Sequence, residues 1–477
     1  MPEPRRCGTN DRLVMAVTGR LSVHEQVRTF LYSDFVWDAA DEIDAALPVD
    51  PNVGGRPRAY PMVSALIWCG LVSVFGSSRQ VEVELGCKSS PWWLMVRQAA
   101  SEMRAGLSLP ERPMRRHHYE WLRERYLVSD RGLEIVDEVF RRIAAAQAES
   151  IGLCDPEGVG SLTHPSRDKV IAGDGTVVTP RYKTHPRDRQ QVNTETGEIR
   201  EKRVDPDADL HVTGGGERVF GTKFVLLSTR GDERNRRIIL DAIHSGKGGE
   251  AKWAIESLHR TLPLLPGAQA VVYDGAFRGT HLRELIKDHG IVPVSRMHSG
   301  QHGTVPDRHL GIVPVTGGTR DTVDIHLVNG SPCVRTFNVE GEPVVTPLTR
   351  IQTQRRRNLN GYRLYNLYEV PALHGGGAIR LRLDQTADDE KTGFNREEHL
   401  RAIPPDDPDH DDLYGRRNDT ESGNRLLDDS MLRERAHTVG RRRQLLDVLS
   451  WAAVRNASAA AQHCRRDCAD LGPPLAA

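Results

Sequence analysis

The sequence predicts an α/β protein: a mixed sheet with flanking helices, a helical region before it and a strand-rich insertion within it. Three observations predict this. Residues 1 to about 150 carry apolar side chains at helical spacing. From residue 168 the chain reads as three strands, a helix, a strand, a helix and a strand. The stretch Gly311–Leu383 then turns strand-rich again, before two closing helices.

The amino-terminal region, residues 1–150, has three helical signals. Val23–Leu47 is apolar at helical spacing, and Tyr60–Phe75 is apolar on most sides. Arg131–Ala148 carries Leu133, Val136, Val139, Phe140 and Ile143 as a stripe of period 3.6. Between the last two lies Lys88–Tyr126, which holds eight Lys or Arg against four Glu. It also holds Trp92, Trp93, His117, His118, Tyr119, Trp121 and Tyr126. Such a stretch is either a DNA-docking patch or a helix pair with its aromatics in the core.

The first part of the central unit spans 165–300. Lys169–Thr179, Arg218–Arg230 and Arg237–His244 read as strands, with a charged excursion, Arg181–Leu210, after the first. Gly249–Leu262 and Arg278–His289 read as helices, and Ala270–Tyr273 and Ile291–Ser295 as short buried strands. The strand-rich insertion occupies 301–400, with strands such as Thr322–Val328, Tyr362–Val370 and Ile379–Leu383. Arg401–Leu413 reads as a Pro/Asp-rich linker, and Tyr414–Ala436 and Gln444–Gln462 as closing helices within 401–463. Residues 464–477 read as a disordered tail.

Lys plus Arg equal Asp plus Glu at 65 each, which excludes a uniformly basic DNA-coating protein but not local basic patches. Only nine of the basic residues are Lys, so Arg dominates. Arg suits bidentate phosphate contacts, and a GC-rich genome gives the same bias. Seven scattered cysteines without a CxxC pair argue against a zinc site. The longest apolar run, Tyr60–Gly76, is interrupted by polar residues and reads as a buried helix rather than a membrane span. Leu13–Thr18 is too short for a signal-peptide core, so the expected location is the cytoplasm.

Two aspartates sit at predicted strand ends, Asp174 in IAGDGT and Asp274 in VVYDGAF. Ligands of open α/β sheets gather beyond the carboxyl ends of strands. Two carboxylates there repel unless a positive charge joins them, and Mg²⁺ prefers such oxygen ligands. Tyr414, Arg417 and Glu421, at i, i+3 and i+7, share one helical face. If that face meets the strand edge, Glu421 completes an Asp–Asp–Glu cluster. Arg417 then neutralises a phosphate or orients Glu421, and Tyr414 bonds a phosphate or stacks.

This set resembles the DDE-class transposases of bacterial insertion sequences. More specifically, it resembles the branch with the helical signature Y-x2-R-x3-E-x6-K and a β-rich insertion before the last acidic residue. The signature here runs from Tyr414 through Arg417 to Glu421, and the second-aspartate block is DGAFRGTHLRELIKDHGIVPV, Asp274–Val294. The resemblance covers about 168–300 and 355–460 well and is weaker before residue 150. It implies an RNase H-like core in which Asp174, Asp274 and Glu421 are catalytic and bind two Mg²⁺ ions, with Mn²⁺ able to substitute. One position departs: the family's Lys is Asp428 here, and Arg425, one turn after Glu421, is a candidate to replace it.

The implied mechanism is hydrolysis at the element end, followed by attack of the freed 3′ hydroxyl on target DNA. The implied partners are terminal inverted repeats, target DNA and a second copy pairing two ends, in a bacterial, nucleoid-associated setting. On this reading residues 1–150 bind DNA or dimerise. Arg355, Arg356 and Arg357 join Tyr414, Arg417 and Arg425 as DNA-binding candidates. Further basic runs are Arg181–Arg189 and Arg441–Arg443. Two alternatives stay open: a degenerate remnant that only binds DNA, and a metal-dependent nuclease of the same fold. No P-loop is present, since Ser245-Gly246-Lys247-Gly248 lacks the required spacing.

Overall fold

The structure is a computed structural model that describes residues 21–48, 58–193, 197–212, 216–233, 235–297, 307–431 and 433–470. The amino-terminal region is helical, as its periodicity predicts. It contains α1 (Val23–Leu31), α2 (Asp34–Ala46), α3 (Met62–Phe75), α4 (Ser78–Leu85), α5 (Pro91–Met103), α6 (Arg116–Leu122) and α7 (Asp130–Ser150). Helix α1 starts at a capping box, where Ser22 and Glu25 satisfy each other's backbone N–H. Ser33 follows α1 and opens α2, so Val23–Leu47 is two helices rather than one.

Helix α3 is apolar all round because it is enclosed, and residues Met62 to Val72 are all buried. Among the described residues no single helix is long and apolar enough to cross a membrane. The aromatic stretch resolves mainly as core: Trp93 and Tyr119 are buried, and Tyr119 stacks on Trp68 at 5.3 Å. Trp121 alone of its tryptophans is largely exposed.

The central sheet follows the predicted order. Its strands are β1 (Val170–Val178), β4 (Asp209–Val212), β5 (Arg218–Arg230), β6 (Arg237–His244), β7 (Ala270–Val272) and β8 (Val292–Val294). β5 pairs antiparallel with both β1 and β6, whereas β1, β7 and β8 run parallel to one another. The three-strand meander therefore precedes the parallel units, and β7 and β8 are wholly buried, as apolar runs without alternation require. The excursion after β1 is not all loop. A small hairpin, β2 (Gln190–Val192) with β3 (Ile199–Glu201), and the added strand β4 give its backbone groups partners.

Helices α8 (Glu250–Thr261) and α9 (Gly279–His289) fall within a residue or two of their predicted bounds. The insertion forms two sheets. The first orders β9 (Arg308–Pro314), β10 (Thr322–Val328), β11 (Ser331–Phe337) and β12 (Pro343–Pro347) as β12–β11–β10–β9. The second is β13 (Thr349–Asn358), β14 (Gly361–Glu369) and β15 (Ala378–Arg382), in sequence order.

The carboxyl-terminal elements depart most from expectation. Two short helices, α10 (Ala387–Thr392) and α11 (Arg396–His399), follow the insertion. The Pro/Asp-rich linker is partly helical, as α12 (Pro408–Tyr414), because Asp407 caps it and Pro408 occupies its first turn. Buried Arg350 anchors it, binding Asp407 at 2.7 Å and Asp409 at 2.9 Å. Helix α13 (Arg416–Ser430) starts after Gly415 and stops at Met431. The last helix, α14 (Arg441–Asp470), runs through much of the expected disordered tail, and 471–477 lie outside the described residues. Residues 1–20, including Leu13–Thr18, do so too.

Helix α14 explains its own length. It packs on α1, α3, α7 and β6, so one apolar cluster joins the amino-terminal helices to one face of the sheet. A second cluster joins the other face to the insertion.

Candidate metal centre at the sheet edge

The parallel register of β1 and β7 pairs 170 with 270 and 172 with 272. Carried on by two residues, it sets position 174 beside position 274. Asp174 stays within β1, opposite Leu226 of β5, while Asp274 lies just past β7. The two aspartates do converge, and their ligand oxygens lie within 4.8 Å of each other and of a third carboxylate.

That third carboxylate is Glu250, not Glu421. Glu250 is the first residue of α8. Its carboxylate binds Lys223 Nζ at 2.5 Å and accepts from the Tyr273 hydroxyl at 2.7 Å. It lies so close to β1 that a Cβ on Gly175 would stand 2.3 Å from Glu250 Oε2. A side chain at 175 would therefore displace the Glu250 carboxylate, and Gly175 lies within β1, opposite Val225, rather than in a turn.

The electrostatics are those of acids crowded without enough counter-charge. Burial, then Glu250 and Asp274, push Asp174 up to about 7, with Arg417 opposing. Asp274 is raised too, chiefly by burial and next by Glu250, while the Ala276 N–H and the Arg417 and Lys223 charges oppose. The direct hydrogen bonds are few: Asn424 Nδ2 donates to Asp174 Oδ2 at 3.0 Å, and the Ala276 N–H donates to Asp274 Oδ1 at 2.9 Å. Oxygen-only donors, mutually repelling and half-buried, suit a hard divalent cation.

Helix α13 does meet the strand edge, packing across β1. Glu421, however, is more than half exposed and turns to Arg417, at 2.7 Å across one helical turn. The expected Asp–Asp–Glu cluster is corrected in this respect: the Arg417–Glu421 ion pair holds the helical carboxylate outside the group. Arg417 is the cation from this helix that acts on both aspartates. Tyr414 ends α12 instead of sharing α13 with Arg417; it stacks on His410, and Arg296 lies over its ring at 4.6 Å.

The remaining candidates scatter. Arg425 is exposed on α13, and Asp428 is half-buried, its carboxyl pushed up to about 6 by burial, Glu434 and Asp429. Arg355, Arg356 and Arg357 are exposed on β13, over the rings of Tyr362 and Tyr365. Of the other basic runs, Arg442 pairs with Asp130, and Arg443 with Glu124 at 2.6 Å. They tie α14 to the amino-terminal helices.

Sequence reasoning missed Glu250, Lys223, Tyr273 and Asn424. Asn424 was legible, since it is three residues after Glu421 and seven after Arg417. Glu250 was not, because an acid in the first helical turn is common everywhere. No protein-family model matches this chain, and no curated protein matches it.

Proposed function

We propose that this chain is a metal-dependent DNA strand-cleaving and strand-transferring enzyme of the DDE transposase type, with an RNase H-like core. The observation that carries the reading is the convergence of Asp174 and Asp274 beyond paired parallel strands, charge-starved and roofed by the helix bearing Arg417, Glu421 and Asn424. The meander followed by parallel units, and the strand-rich insertion before that helix, support it as well.

Asp174 and Asp274 would hold the divalent cations, Mg²⁺ with Mn²⁺ as substitute, and Glu250 or Glu421 would supply the third carboxylate. Bound there, such ions let water attack a phosphodiester and steady the leaving oxygen. Asn424 orients Asp174, and Lys223 and Tyr273 orient Glu250. Arg417, freed from Glu421, faces the phosphate. Arg355–Arg357 and Arg425 bind the DNA backbone, and Tyr414 stacks or bonds at the site's rim. Two copies of the chain pair two element ends.

The test uses a duplex carrying the terminal repeats that border the gene. In Mg²⁺ or Mn²⁺ the chain is expected to nick the repeat end and join the freed 3′ hydroxyl to a second duplex. Cutting without joining would replace transposase by nuclease. Binding without cutting in either ion would leave a DNA-binding remnant, and no binding would overturn all three.

A further inference from the structure

Far from the sheet edge, the insertion carries a different set of ligands. Asp324 and His326 alternate on β10 and so share its outer face, while Val323, Ile325 and Leu327 point into the core. His309 stands on β9, the edge strand of that sheet. In unbroken register His309 would face Leu327 and the core. A β-bulge between Ile325 and His326 prevents this: Gly311 pairs with Ile325, but His309 pairs with His326. The extra residue re-aims His309 onto the face of Asp324 and His326, which is how bulges place side chains at sites.

Each imidazole is arranged about one carboxylate. His309 Nε2 lies 2.6 Å from Asp324 Oδ1, and His326 Nε2 lies 3.9 Å from Asp324 Oδ2. Behind His326, its Nδ1 meets Asp307 Oδ1 at 3.1 Å, and Arg335 holds the other oxygen of Asp307 at 3.2 Å. An ionised carboxylate only accepts, so His326 donates from Nδ1 to Asp307, and its neutral tautomer in this arrangement has the Nε2 lone pair on the Asp324 side. A carboxylate behind a histidine is the usual device for orienting a metal-ligating imidazole.

We propose that His309, Asp324 and His326 form a binding site for a borderline divalent transition ion of the Zn²⁺ class, oriented by Asp307. Their ligand atoms already lie within 4.8 Å of one another. Ligands about 2.1 Å from zinc sit roughly 3.4 Å apart, so modest side-chain rotation closes the set. His309 then moves its proton to Nδ1 and exchanges its hydrogen bond to Asp324 for coordination. The ion staples edge strand β9 to β10. Two imidazoles select it over Mg²⁺, which favours oxygen ligands alone. The site is independent of the reaction proposed for the sheet edge.

The test is calorimetric titration of the full chain with Zn²⁺ in the presence of excess Mg²⁺, repeated with Co²⁺ to follow its visible absorption. Wild type should bind one equivalent more than the double variant His309→Ala/His326→Ala, and should gain thermal stability with Zn²⁺ that the variant does not. The isosteric variant Asp324→Asn should bind at least about tenfold more weakly. His289→Ala, at the separate His259–His289 pair between α8 and α9, should keep the equivalent. His309 is exposed, but His326 is mostly covered and bound to Asp307, so the metal-free midpoint of the double variant should fall modestly, and an unchanged far-ultraviolet circular dichroism spectrum excludes misfolding. Identical isotherms for wild type and the double variant would overturn the proposal.

Discussion

Helix α8 has a cluster of acids near each end, and the two are compensated in opposite ways. Towards its carboxyl end Arg260 reaches Asp137 and fully buried Asp241, at 2.8 Å each, and Arg141 meets Asp137 at 2.6 Å. Ser257 and the Ala242 N–H complete the shell of Asp241. At its amino end Glu250 joins Asp174 and Asp274, with Lys223 on Glu250 and Arg417 turned partly to Glu421. The first cluster has its cations built in at hydrogen-bond distance, although burial and then Asp241 still raise the Asp137 carboxyl against Arg260 and Arg141. The second leaves two aspartates short of counter-charge, which is the condition of a site that awaits an ion. Buried acids alone distinguish nothing; the hydrogen bonds they already have do.

The comparison breaks most sharply under substitution. Asp174→Asn should reduce Mg²⁺-dependent strand cutting by at least about a hundredfold to a thousandfold, while metal-free thermal stability holds or rises. Arg260→Ala should do the opposite, leaving two buried carboxylates short of their cation and costing about 3–5 kcal/mol in denaturant unfolding. A loss of stability in the first variant, or none in the second, would erase the distinction.

Proton linkage gives the next test. Asp174 has a folded-state pKa raised to about 7 against an ordinary value near 3.8, so the folded state binds its proton more tightly. Its contribution to stability is complete below the unfolded pKa and is lost as pH rises through about 7. Metal-free wild type should therefore lose stability relative to Asp174→Asn between about pH 4 and pH 7. Saturating Mg²⁺ should remove most of that difference at about pH 7, because the ion replaces the proton. Parallel stability curves, with and without Mg²⁺, would contradict the assignment of the site.

Much of this was readable in advance. The strand order follows from the apolar runs, and the parallel register of two of them brings Asp174 and Asp274 together. However, β1 does not end at Asp174 but runs on to Val178, and Tyr414 does not share the helix of Arg417 and Glu421. What was not readable depends on side-chain choices between comparable partners. Glu421 could pair with its own Arg417 or reach the aspartates, and spacing along a helix permits both. Glu250 enters the group because Gly175 leaves room for it, a fact about packing between distant segments. The tail of α14 misled because its polar residues look solvated, although the same helix is held by three others and a strand.

That ambiguity makes the third carboxylate worth separating. Glu421→Gln and Glu250→Gln should differ in kind. Glu250→Gln removes a charge next to Asp174 and should lower the Asp174 pKa, so Mg²⁺ affinity changes without DNA bound. Glu421→Gln frees Arg417 towards the aspartates and should weaken Mg²⁺ binding by charge competition, with cutting reduced further once DNA is present. Isothermal titration with Mg²⁺ and single-turnover cutting distinguish the two. Equal effects on both measurements would mean the two glutamates share one role.

The smallest effect is expected on the insertion, where charge is spread rather than gathered. Arg355, Arg356 and Arg357 project from β13, Arg356 on the opposite face from the other two, each within 5.6 Å of a tyrosine ring centroid. Rings do not neutralise charge, so these arginines remain available to phosphate, unlike Arg442 and Arg443, which are paired with acids. Replacing all three with Ala should reduce the slope of log affinity against log salt by about one for each phosphate no longer neutralised. Replacing Arg442 and Arg443 should leave the slope nearly unchanged and lower stability instead. An unaltered slope in the first variant would show that DNA follows another face, and a lowered slope in the second would show that paired arginines can exchange carboxylate for phosphate.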